Sequence, residues 1–126
     1  MKKSKLYRPN KVVGAKKFNA RKDRDALYDL SWVKYRIRFL KVNPNCYACG
    51  AKAAVVDHLI PHKGDRDLFE KLDNHLPLCK LCHDTVTGLF DAKWSVENFE
   101  KKLYWLSSMR VKHGLVNSVK VLGSYR

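Results

Sequence analysis

The stretch CYACGAKAAVVDHLIPHKGDRDLFEKLDNHLPLCKLCH, residues 46–83, opens and closes on a CxxC pair, Cys46 with Cys49 and Cys79 with Cys82. Each pair places two sulfurs on one tight turn, and two such turns supply the four soft ligands that a tetrahedral structural Zn2+ requires. Between the pairs, residues 53–60 are rich in apolar and β-branched side chains and run up to Pro61, which predicts a strand carrying Asp57 and His58 near its end. Residues 61–78 mix turn formers, charges and the apolar anchors Leu68, Phe69 and Leu72. They predict a loop with one helical turn and then a second strand from His75 to Leu78, closing a long hairpin.

Moving outward, the segment from Cys79 to Phe90 puts Cys79, Cys82, His83, Val86 and Phe90 on one face at helical spacing and predicts a short helix. Ser95 is a candidate cap for another helix, with Val96, Phe99, Leu103 and Leu106 as its apolar stripe and an end near Gly114. Upstream, Ala26 to Leu40 contains no breaker and predicts one helix, or two short ones if Ser31 caps a new start, stopped by Asn43-Pro44-Asn45. The expected organisation is a basic flexible arm (1–24), one α+β domain with helices flanking the cysteine-bracketed hairpin (25–114), and a tail (115–126) that is a strand or disordered.

The 126 residues suit a single domain, and 45% hydrophobic with 30% charged residues excludes a disordered composition. No apolar run is long enough to span a membrane, and the basic start MKKSKLYRPNK lacks the apolar stretch of a secretion signal, so a cytoplasmic protein is expected. In that compartment four cysteines point to a metal rather than to disulfides. The net charge of +14 is uneven: residues 1–45 carry fourteen Lys/Arg against three Asp, 46–93 six against seven Asp/Glu, and 94–126 six against two. A near-neutral centre between basic ends fits a site that concentrates carboxylates while its flanks grip a polyanion, and the expected partner is nucleic acid.

With the cysteines in register, VDHLIPHKGD followed by LFEKLDNHLPLCKLCH resembles the HNH nuclease family, in particular the small phage-type members with a four-cysteine zinc site. The resemblance covers about residues 30–92 and implies a ββα-metal fold and hydrolysis of DNA phosphodiester bonds. It carries Asp57 and His58 onto the family's strand-borne Asp-His pair, Asn74 onto its central Asn, and His83 onto the His that follows the fourth cysteine. By that likeness Asp57 and His83 ligate a catalytic divalent cation such as Mg2+ or Mn2+, and His58, on the opposite face of the strand, serves as general base with an imidazole titrating near neutrality. Asn74 is expected to bond backbone in the hairpin loop and orient His58. Val86 stands where many relatives carry Lys, a difference bearing on DNA contact or rate rather than on reaction type.

His62 and His75 are given no fixed role beyond contact with phosphate or solvent, and His113 none. Lys34, Arg36, Arg38 and Lys41, with the arm, are the expected phosphate contacts. A non-catalytic zinc-dependent nucleic-acid-binding module explains the cysteines and the charge, but not the coincidence of Asp57, His58, Asn74 and His83. An accessory factor of a packaging or other nucleic-acid-processing complex would use Trp94, Tyr104 and Trp105, which are otherwise core.

Overall fold

Asp29 accepts a hydrogen bond from the backbone N–H of Trp32 at 3.1 Å and so starts the helix α1 (Leu30–Val42) in place of Ser31. The computed structural model describes residues 24–126, so the basic arm expected at 1–24 lies, but for Arg24, outside the described residues. Trp32, Tyr35 and Phe39, at helical spacing, form the buried face of α1, while Leu30, Val33 and Ile37 are exposed. The helix stops at Asn43, whose N–H bonds back to Phe39 O.

The remaining order is β1 (Val55–His58), α2 (Arg66–Glu70), β2 (His75–Leu78), α3 (Lys80–Leu89) and α4 (Val96–Lys112), with short 3-10 turns at Leu72–Asn74 and Asp91–Lys93. This is an α+β arrangement in which an antiparallel hairpin leads directly into a helix. β1 pairs with β2 in the register Val55↔Leu78, Val56↔Pro77, Asp57↔Leu76 and His58↔His75. The paired strand, Val55–His58, is shorter than the apolar run 53–60 suggests, and one further bond, from Leu59 N–H to Asn74 O, carries its register into the loop. Ser95 caps α4 through a bond from Asn98 N–H, as its position implies. Among the described residues no helix is long and apolar enough to cross a membrane.

Among the described residues two clusters make the core. Cys46, Ala48, Leu76, Leu78, Cys82, Val86, Phe90 and Leu106 pack between the hairpin, α3 and α4; Leu27, Trp32, Tyr35, Phe39, Val56, Phe69 and Tyr125 pack under α1. The stripe expected on α4 is displaced. Val96 and Leu103 are exposed, and the residues facing inward are Lys102 and Leu106, with Met109 and Trp105 partly buried. Of the three aromatics weighed as a partner surface, Tyr104 is exposed, Trp105 packs against the first cluster and Trp94 packs edge-on against Phe99.

The tail is neither a strand nor loose chain. Leu115 covers Gly50, where a left-handed φ of 81° favours glycine and an added Cβ would meet Leu115 at 3.2 Å. Asn43 clamps Lys120 through both backbone groups (2.9 and 2.8 Å), and Tyr125 stacks on Tyr35 with ring centroids 5.0 Å apart. Arg38, expected to reach for phosphate, instead donates to Ser124 O and Tyr125 O at 3.1 and 2.9 Å and so holds the tail.

Candidate metal centre and active-site cleft

Cys46 and Cys49 lie in the turn before β1, and Cys79 and Cys82 lie at the start of α3. The four Sγ atoms all lie within 4.8 Å of one another. Cys49 and Cys79 are 3.8 Å apart across the two turns. Four sulfurs around Zn2+ at a Zn–S bond of about 2.3 Å stand about 3.8 Å apart, so the donor set and the spacing both fit zinc. Cys79 is also the N-cap of α3, its Sγ accepting from Cys82 N–H at 3.4 Å. A metal held by all four would tie the knuckle at 46–50 to the base of α3.

The second site is an open cleft of about 410 Å³ at the end of β1, lined by Asp57, His58, His62, His83 and Asp91 and rimmed by Arg24, Arg36 and Lys63. Strand alternation sends Asp57 and His58 to opposite faces. Asp57 is buried and faces α3 and α4: its Oδ1 accepts from His83 Nδ1 at 3.2 Å, and its Oδ2 lies 3.1 Å from Lys102 Nζ. Oδ2 is within ion-pair range of that ammonium yet is a buried acceptor without a hydrogen bond. Two neighbouring ligands of an octahedral cation with bonds near 2.1 Å stand about 3.0 Å apart, so the Asp57–His83 pair has the spacing of such an edge. Among the described residues the four cysteines are the group of three or more such ligands that clusters tightly enough for a metal. A cation on Asp57 and His83 would therefore need water and a phosphate to complete its shell. Hydrogen bonding to Asp57 raises His83 above the usual imidazole range, against its partial burial.

His58 faces the other way. Its ring stacks on Trp32 at 5.5 Å and its Nε2 donates to Phe69 O at 3.0 Å. A carbonyl accepts only from a protonated nitrogen, so in the neutral ring Nδ1 carries the lone pair. Burial, and then His62 and His75 nearby, hold this imidazole well below its usual value. The unperturbed histidine expected from the strand's end is thus corrected: His58 is neutral at and well below neutral pH. His75, expected at phosphate or solvent, is buried instead, accepting from Tyr35 OH and donating to Phe69 O at 2.8 Å. His62 lines the cleft, accepts from Gly64 N–H on Nδ1 at 3.0 Å, and meets Tyr28 OH through Nε2 at 2.9 Å.

Asn74 places its whole amide on the loop that joins the strands. Its Oδ1 accepts from Ile60 N–H at 2.8 Å, and its Nδ2 donates to Ile60 O and Leu68 O at 2.9 and 3.1 Å. Val86 is fully buried in the first cluster, so this position faces the core and not a nucleic-acid surface.

Sequence reasoning passed over Lys102, which is buried against Asp57 and Asp91. The signal was there: Lys102 lies three residues after Phe99 and four before Leu106, on the inward stripe. Asp91, pushed up by burial to about 6 despite Lys102, was passed over as well. Comparison with family models, characterised proteins and solved structures finds no match to this chain.

Proposed function

We propose that the chain is a metal-dependent endonuclease of the HNH type that hydrolyses phosphodiester bonds in DNA. The observation that carries this reading is the Asp57–His83 pair at 3.2 Å, opening on the cleft that also holds the neutral His58. A hairpin feeding a helix, with a four-cysteine cluster at its base, is compatible with a ββα zinc motif.

His58 accepts a proton from the attacking water on Nδ1, because Phe69 O keeps the proton on Nε2. Asn74 keeps the loop after β1 in place and with it the backbone that presents His58. Arg24 and Arg36, with Lys63 beside them, hold phosphate oxygens at the rim; Lys63 also donates to Asp91 O at 2.9 Å, which fixes its stem. A Mg2+ or Mn2+ held by Asp57 and His83 would stabilise negative charge building on the phosphate. Zn2+ on the cysteines is structural.

The rival, a zinc-dependent module that binds nucleic acid without cutting it, draws on the raised pKa of His83: a protonated His83 satisfies Asp57 with no cation. Measuring cleavage and DNA affinity side by side for His58→Ala separates the two. Cleavage lost by at least about 100-fold with affinity retained is the expected result, in the range of a general base. Parallel loss of affinity and cleavage would refute the role given to His58.

A further inference from the structure

Lys102 has 0% of its surface exposed and touches no solvent, so its effect on the cleft runs through the groups it holds. Its Nζ lies among five oxygens: His58 O at 3.0 Å, Leu59 O at 2.9 Å, Asp91 Oδ1 and Oδ2 at 3.0 and 3.1 Å, and Asp57 Oδ2 at 3.1 Å. An ammonium has three N–H donors. The two carbonyls and the forked Asp91 carboxylate take all three, which is why Asp57 Oδ2 receives the charge without a hydrogen bond. The carbonyls belong to consecutive residues where the chain leaves β1, so one group fixes both the backbone bearing His58 and the inner oxygen of Asp57.

We propose that Lys102 is the positioning residue of the cleft: its ammonium fills a five-oxygen cage and holds Asp57 with Oδ2 inward and Oδ1 toward His83. Without it, two buried carboxylates would face each other across an empty cage. An apolar side chain of similar length fills the volume and still leaves the five oxygens unheld. α4, outside the stretch that resembles the nuclease family, is thereby part of the site. The positioning role rests on the nuclease reading; the cage rests on distances alone.

Two measurements on the zinc-loaded full chain test it. In the wild type, one lysine ammonium, assigned through its own side-chain carbons, should give a 15N–1H signal that persists at neutral pH because its protons exchange slowly. Absence of that signal overturns the cage, whether or not any variant folds. Lys102→Ala should then be rescued by methylammonium and not by tetramethylammonium, which has no N–H to donate. The expected rescue is a higher Tm and a recovery of plasmid nicking by at least about tenfold. A Tm indifferent to methylammonium overturns the cage. A rescued Tm without rescued nicking, where the wild type nicks, leaves Lys102 a folding residue only and overturns the positioning role. A wild type that never nicks refutes the nuclease reading and the positioning role that rests on it, leaving the cage to the ammonium signal and the thermal rescue.

Discussion

Asn74 makes three hydrogen bonds to the loop between the strands, and no shorter or apolar side chain reproduces them. Asn74→Ala leaves buried backbone groups unpaired and should cost about 3 kcal/mol, read as a lower urea midpoint at unchanged slope. A midpoint equal to the wild type's would contradict that role. His62 gives a pH dependence of defined sign. Burial, then Arg24 and Lys63, against the opposing Asp65, lower its folded pKa to about 4 from an unfolded value of 6.5. The neutral form is favoured by folding, so its contribution is complete above pH 6.5 and is lost as pH falls toward 4. The loss amounts to about 3 kcal/mol. Between pH 7 and pH 4.5 the wild type should lose more stability than His62→Gln, and equal losses would refute the assignment. Asp57, His58, Asn74 and His83 stand out in the sequence only through the resemblance of the cysteine-bracketed stretch to the HNH nuclease family. His75 does not, because a histidine at an apolar position reads as exposed until Tyr35 and Phe69 O are seen to satisfy both ring nitrogens.

At the scale of elements, the CxxC turns, the hairpin and α3 follow from local rules. A thiolate pair needs a tight turn, a β-branched run ending at proline makes a strand, and Cys79 supplies the cap from which α3 starts. Substituting Co2+ should give the absorption of a tetrahedral thiolate site, and Cys46→Ser should weaken or abolish it. Chelation should cost the protein its cooperative unfolding transition, since a metal on the four cysteines would join the knuckle to α3. A stripped protein that unfolds as cooperatively as the loaded one would contradict a structural zinc. Apolar spacing alone runs the α4 stripe through Leu103, whereas the inward position belongs to Lys102. Periodicity counts hydrophobicity, and a lysine whose charge is matched by two carboxylates and two carbonyls is inward without being apolar.

At the scale of the whole molecule, the tail from 115 to 126 closes the fold through side-chain grips on backbone, with Asn43 on Lys120 and Arg38 on residues 124 and 125. Such grips have no period, which is why this stretch could not be read from sequence. Tyr125→Ala removes a ring stacked on Tyr35 and should destabilise by about 3 kcal/mol, measured by urea unfolding. A cost near zero would mean that the tail does not belong to the core. The charge distribution acts at the same scale: basic ends about a near-neutral centre, with Arg24, Arg36 and Lys63 around a cleft that holds its own carboxylates. DNA affinity should therefore fall steeply with added salt.

Nicking of supercoiled plasmid by the zinc-loaded chain puts the proposal that the Asp57–His83–His58 cleft cuts DNA to the test. The expected result is nicking that depends on added Mg2+, Mn2+ or Ni2+ and is abolished by both His58→Ala and His83→Ala. Plasmid that is bound but stays supercoiled with every cation, or nicking that survives either substitution, would contradict it.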